Sequence, residues 1–304
     1  MPSFLKRHFG GEKRLRERLV GTAREIDSGY YDIVRFFGPD ALDPAQVDIE
    51  YRSEPFSFSD ARIREYAREI EDEFRRKGRI YDGPTIMHLD RFDTQSSPPR
   101  MVVREATYGD HCGSCLALDW PHAFFENHGG TLREYYRRTG GSPDKPEWPL
   151  ASCLGTCGLL VTRIADKVSV LAVTRSARLA SLENTVGVSA AGTVDWNTGY
   201  STLLDLLLHA LGQEIEEELN LAPTEYTINP LAFAREIFRG ERPQLFALIS
   251  TGLSPEEVQS RLKAMPPDNK EFTGFQFYSL DTPPADLNHE ARMNWMLAEE
   301  FLYQ

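Results

Sequence analysis

Two segments of the chain carry apolar residues at helical spacing. From Ser59 to Lys77, Ile63, Tyr66, Ala67, Ile70 and Phe74 fall on one face, and Gly78 follows as a stop, which predicts an amphipathic helix with one buried side. Further on, Leu204, Leu208, Leu211, Ile215 and Leu219 form a second stripe that ends near Leu221. A third helical pattern spans Glu12 to Ile26, and Asn288 to Leu302 gives a terminal helix. Ser254-Pro-Glu-Glu257 opens a short one, with serine as cap, proline at the first helical position and acid in the first turn.

Between these helices lie shorter runs with the character of strands. They are Thr85 to Phe92, Met101 to Thr107, Leu154 to Ile164, Val168 to Thr174, Thr227 to Phe238, Gln244 to Thr251 and Phe275 to Leu280. Ala165-Asp166-Lys167 joins two of them into a predicted hairpin, and Tyr81-Asp-Gly-Pro84 and Arg239-Gly-Glu-Arg-Pro243 mark turns. The strongest loop signal is Gly140-Gly-Ser-Pro-Asp-Lys-Pro-Glu-Trp-Pro149. It divides the chain into residues 1–148, read as a smaller α+β domain, and residues 149–304, in which strands surround one acidic helix.

Charge and composition narrow the classes of function. With 304 residues the chain can bury a substantial core, and 41% hydrophobic and 26% charged residues are ordinary globular values. A formal net charge of −12 argues against non-specific binding to nucleic acid or to an anionic membrane. No run approaches the length of a membrane span and the first residues lack the apolar core of a signal peptide, so a cytoplasmic protein is expected. Lys6, Arg7, Lys13, Arg14, Arg16 and Arg18 crowd the first 20 positions and read as part of a surface helix. Cys112-x2-Cys115 and Cys153-x3-Cys157 are spaced either for a structural zinc or as free buried thiols, and the strand around Cys153 favours thiols.

The acidic helix changes the picture most. Glu214, Glu217 and Glu218 stand at i, i+3 and i+4 and so share one face, whereas Glu216 points away. Like charges at this spacing repel, so the three invite a compensating cation, and hard oxygen donors suit Mg²⁺ or Mn²⁺. A purely solvated acidic face is the competing reading.

Gln213-Glu214-Ile215-x-Glu217-Glu218-x-Asn220-Leu221 resembles the end of the Nudix box, Arg-Glu-apolar-x-Glu-Glu-x-Gly-apolar. Asn220 stands where the family has glycine, at a left-handed cap that asparagine also fills. Gln213 stands where the family has an arginine that orients the glutamates. Two alignments compete for the front of the box. An ungapped one uses Gly199 and Asp205; the other, favoured because Val188 to Gly192 looks like a strand ending in a loop, uses Gly192 and inserts about seven residues around Asp195 to Tyr200.

The resemblance implies an α+β fold, a Nudix-type α/β/α sandwich with a mixed sheet, preceded by a smaller α+β unit. Ile80 to Pro84 and Thr107-Tyr108 add a weaker likeness to the extension of the UDP-glucose pyrophosphatase branch. The activity it implies is Mg²⁺-dependent (or Mn²⁺-dependent) cleavage of the pyrophosphate of a nucleoside diphosphate linked to another group, nucleotide sugars such as UDP-glucose among them. Glu214, Glu217, Glu218 and the Gly192 carbonyl would hold metal, and Glu217 or Glu218 would accept the proton of the attacking water, with Glu236 and Glu271 as further candidates. Arg175, Arg178 and Arg235, with Glu236, are the implied substrate contacts, and Trp196 and Tyr200 either stack on a base or pack their own loop. The partner is then a small-molecule nucleotide, with no nucleic acid and no membrane; a homodimer stays open. A Nudix-fold binding module without catalysis and a purely structural protein are the competing functions.

Overall fold

An eight-stranded mixed sheet organises the molecule. The computed structural model describes residues 29–78, 85–139, 149–164, 167–176, 182, 184–266 and 271–304. The predicted helix at Glu12 to Ile26, the turn at Tyr81 to Pro84 and most of the break at 140–149 lie outside the described residues.

The sheet contains β1 (Tyr30–Arg35), β5 (Gly155–Ile164), β6 (Lys167–Arg175), β7 (Val186–Gly187), β8 (Ala190–Thr193), β9 (Tyr226–Glu236), β10 (Arg242–Thr251) and β11 (Phe272–Ser279). Their order is β1-β9-β10-β5-β6-β11, with β7 on β6 and β8 on β5. β5 and β10 run parallel and the other pairs are antiparallel, β5 and β6 included. Almost every residue of β10 is buried, as expected of a central strand covered on both faces.

Helices supply both covers. On one face α4 (Leu203–Leu219) and α5 (Pro255–Ala264) pack Leu211, Ile215, Val258 and Leu262 against Leu160, Leu171, Phe233 and Leu245. On the other, α6 (His289–Leu302) packs Ala291, Trp295 and Ala298 against Leu159, Phe246 and Leu248. This is the α/β/α sandwich with a mixed sheet that the sequence implies. No helix among the described residues is long and apolar enough to cross a membrane.

The preceding residues form a three-stranded sheet of β2 (Asp48–Tyr51), β3 (Ile86–Asp93) and β4 (Arg100–Ala106), in the order β2-β4-β3. Beside it stand α1 (Ala61–Arg76), α2 (Tyr108–Gly113) and α3 (Leu132–Arg138). α1 starts on Asp60, whose carboxylate accepts from Arg62 N, and buries the five residues that its spacing singles out. Packing crosses the expected boundary between residues 148 and 149. β1 is an edge strand of the large sheet, and Val47, Ile49, Met87, Leu89, Met101 and Val103 share one core with α4.

That shared core corrects the apolar stripe of α4. Leu208 is 41% exposed, Leu204 is only partly buried, and Leu203, Leu206, Leu207 and Ala210 are buried instead. The small sheet covers the first two turns of the helix from a side that helical spacing alone does not reveal, and Leu203 N donates to Val47 O at 2.9 Å.

Candidate functional site

The start of α4 decides between the two alignments. Thr202 caps the helix and Asp205 reaches back to the Thr202 N–H, a reciprocal capping box that occupies Asp205 with backbone donors. Gly199 sits in a local turn made by the Asn197 side chain. Gly192, in β8, lies directly against Glu214: a Cβ there would fall 1.6 Å from Glu214 Oε1. Glycine is required at this close approach, so Gly192 is the residue that faces the acidic helix. The helix closes on Asn220, in the left-handed conformation at φ 55°.

Glu214 and Glu218 are partly buried on the face turned to β8, while Glu216 and Glu217 are exposed. Glu218 Oε2 accepts a 2.8 Å hydrogen bond from Ala191 N, which fixes one carboxylate to the strand. Burial, then the charges of Glu271, Glu217 and Asp195, push the Glu214 carboxyl up to about 8, against the opposing pull of Arg175. Glu218 is likewise raised well above the carboxylate range by burial and by Glu214 and Glu271, with the Ala191 N–H and Arg175 acting the other way. Five carboxylates therefore gather here, and Glu214, Glu218 and Asp195, the last through burial, resist ionisation. Their oxygen donors fit a hard divalent cation. Among the described residues, however, no three His, Cys, Asp or Glu side chains converge into a metal-holding group as they stand, so a cation would have to draw them closer.

The other residues named from sequence are distributed as follows. The Gly192 carbonyl, expected as a cation ligand, accepts from Arg242 Nη2 at 3.2 Å. Arg175, at the end of β6, lies within electrostatic reach of Glu214, Glu218 and Glu236, and its buried Nε has no hydrogen-bond partner among the described residues. Arg178 lies outside the described residues. Arg235 is buried, with Tyr31 and Glu241 its leading electrostatic partners. Glu236 is 0% exposed. It pairs with Arg239 at 3.3 Å, and Arg239 also holds Glu290 at 3.1 Å. Burial pushes the Glu236 carboxyl up to about 7 and Arg239 pulls it back. The structure thus brings Arg175 to the carboxylates and encloses Arg235 and Glu236 in separate buried networks.

Trp196 and Tyr200 pack the inserted loop. Trp196 meets Tyr51 edge to face at 5.7 Å, and Tyr51 Oη donates to Tyr200 O at 2.9 Å. All four cysteines are buried and none is in a disulfide among the described residues. Cys112 and Cys153 are electrostatic neighbours, whereas Cys157 lies on the α6 face against Asn294.

Sequence reasoning gave no role to two residues at this site. Asp195 opens the inserted loop and is held by backbone pairing with Ile86. Arg242 begins β10, is 7% exposed, and binds both Gly192 O and Thr193 Oγ1. The signal for Arg242 was a charged residue at the head of an apolar run; for Asp195 there was none, since its neighbours are distant in sequence.

No family model and no curated protein sequence matches the chain. Among solved structures it is similar to the NUDIX domain of Shewanella oneidensis NrtR complexed with ADP ribose, at 18% identity over 50% of this chain and 89% of that one, with a TM-score of 0.37. It is similar to the C. elegans Ap4A hydrolase at 14% identity over 50% of this chain and 97% of that one, TM-score 0.33. It is also similar to the MutT NUDIX hydrolase from Burkholderia pseudomallei at 17% identity over 48% of this chain and 97% of that one, TM-score 0.33.

Proposed function

We propose that this chain is a Nudix-type pyrophosphohydrolase that cleaves a nucleoside diphosphate linked to another group. The observation that carries this reading is the gathering of Glu214, Glu217, Glu218, Glu271 and Asp195 within mutual electrostatic reach, with Glu214 pressed on Gly192 and Glu218 on Ala191 N. Carboxylates whose charges oppose one another this strongly are matched to a cation that arrives from outside the fold.

Glu214, Glu217 and Glu218 would hold a hard divalent cation, Mg²⁺ or Mn²⁺, which when bound supplies neutralisation of the pyrophosphate and a more acidic water. The Ala191 N–H keeps Glu218 in one orientation. Glu217 is exposed, and it or Glu271 is better exposed than Glu218 to take a proton from an attacking water. Arg175 adds a positive charge where a diphosphate meets these carboxylates, and its unpartnered Nε is a donor suited to a phosphoryl oxygen. Glu236, enclosed with Arg239, has no part in this scheme. Within the substrate class a nucleotide sugar is the finer reading, ADP-ribose and dinucleoside polyphosphates being its competitors. A cytoplasmic protein with residues 1–148 as an extension completes the proposal.

A hydrolysis screen with Mg²⁺ over UDP-glucose, ADP-ribose and Ap4A tests it. Glu217→Gln is expected to lower turnover of the best substrate by about 100-fold or more, the scale of several kcal/mol of lost charge stabilisation; unchanged turnover would sink the assignment. Gln213, an exposed amide where the resemblance calls for an arginine, favours a second reading, a nucleotide-binding module. Thermal stabilisation by these compounds with no hydrolysis of any of them would establish that reading instead.

A further inference from the structure

Arg242, on β10, reaches across β5 to β8, the strand on which Glu214 and Glu218 rest. Its guanidinium passes over Gly155 of β5, where a Cβ would fall 2.4 Å from Nη2, so the route exists only because residue 155 is glycine. Beyond it, Nη2 donates to Gly192 O at 3.2 Å and to Thr193 Oγ1 at 3.3 Å. The residue before Gly192 is Ala191, whose N–H holds Glu218, and Gly192 itself is the surface on which Glu214 rests. A displacement of Arg242 therefore moves the support of both carboxylates.

The other end of this connection is fixed to the first half of the chain. Arg242 follows Gly240 and Glu241, both left-handed at φ 69° and 67°. A Cβ on Gly240 would fall 1.5 Å from Cys115 O, so the turn lies flat on the segment after α2. The Glu241 carboxylate, 2% exposed, accepts from Tyr31 Oη and from Arg133 Nη1. Arg133 also binds Asp119 at 2.6 and 2.8 Å and Ile237 O at 3.0 Å. A buried, multiply bonded arginine of α3 thus clamps the turn from which Arg242 projects.

We infer that Arg242 is a positioning residue, through which the clamp made by Arg133 and Glu241 sets the place of β8 and hence of Glu214 and Glu218. The inference rests on the proposed function for its consequence, cation affinity, and on hydrogen bonds alone for its geometry. It gives the first half of the chain a task at the site: to hold the turn that holds the strand that holds the carboxylates.

Two measurements on the full chain test it, Mn²⁺ binding followed by electron paramagnetic resonance and hydrogen exchange at the Ala191 amide. Arg242→Met is expected to weaken Mn²⁺ binding by roughly 10-fold or more, the usual effect of losing a partner one shell out from a metal, and to speed exchange at Ala191. Arg242→Lys, which keeps one donor, should recover part of both. If Arg242→Met does not fold, Arg133→Met and Arg242→Lys carry the same test, with the same two readouts shifted in the same direction. Wild-type Mn²⁺ affinity together with wild-type Ala191 protection in these variants would overturn the inference. Absence of Mn²⁺ binding by the unaltered protein would instead overturn the metal-dependent reading of the site, and Ala191 exchange alone would then decide the role of Arg242.

Discussion

Two groups of glutamates flank Arg242, and they are built on opposite plans. Glu236 and Glu290 share an internal cation, Arg239, and are sealed at 0% and 1% exposure. Glu214 and Glu218 have neighbours that are mostly acidic, Glu217, Glu271 and Asp195, with Arg175 as the opposing charge. Raised carboxyls occur in both groups, at about 7 for Glu236 and about 8 for Glu214. A shifted pKa therefore does not distinguish a structural ion cluster from a binding site; the origin of the balancing charge does. Where the fold supplies the cation at contact distance, as Arg239 does for Glu236 and Glu290, the cluster is part of the core; where like charges outnumber Arg175, a cation from outside would complete the balance, as proposed for Glu214 and Glu218.

Removing the internal cation is the most severe way to break this contrast. Arg239→Met leaves two buried carboxylates facing each other without their arginine and is expected to destabilise the fold by about 3–5 kcal/mol, measured by chemical denaturation near neutral pH. A loss close to zero would mean that the sealed cluster is no more structural than the open one.

A smaller effect separates the two by pH. Glu214 has a folded-state pKa of about 8 against an ordinary value of 4.5. A carboxyl raised on folding favours the folded state below its unfolded value, and that contribution fades as pH climbs through the folded one. The unaltered chain should accordingly lose stability relative to Glu214→Gln between about pH 5 and pH 8, as read from thermal midpoints at each pH. Mn²⁺ should reverse the loss in the unaltered chain. A Glu214→Gln curve parallel to wild type throughout that range would refute the strained-carboxylate picture.

The mildest change tests whether the open cluster can be given a cation from within. Gln213→Arg places a guanidinium four residues before Glu217, the weaker order for such a pair and worth about 0.2 kcal/mol on a helix surface. It should move the pH-dependent loss of stability toward lower stabilising contribution from protonation, that is, flatten it slightly. A pH dependence identical to that of the unaltered chain would show that the new side chain points elsewhere.

Much of this was readable in the order of residues. The five buried positions of α1 and the shared face of the α4 glutamates follow from helical spacing, whereas the left-handed Asn220 and the glycine opposite the helix were singled out by the resemblance to the Nudix box. What escaped did so for physical reasons. Leu208 was read as buried because helical periodicity identifies an apolar side but not which later-packed sheet covers it. α2 and α3 have 6 and 7 residues, too few for periodicity to show, and are legible only through the caps Thr107 and Thr131. The burial of Arg235 and Glu236 was not legible either, because a charge near a strand end is ambiguous in sequence between a cleft and a buried pair. Arg242 and Asp195 gain their meaning from neighbours 50 and 19 positions away, Gly192 and Glu214, a relation that no local pattern encodes.

The edge strand β1 carries a consequence for how the protein is made. The Tyr31 side chain ends beside Glu241, 210 positions later, and among the described residues β1 pairs with β9 alone. A strand that emerges early must wait with its ladder groups unpaired until most of the chain has been synthesised, and such distant pairing slows folding and exposes intermediates to association. Production of this protein should therefore depend on the pace of translation and on chaperones more than its ordinary composition suggests.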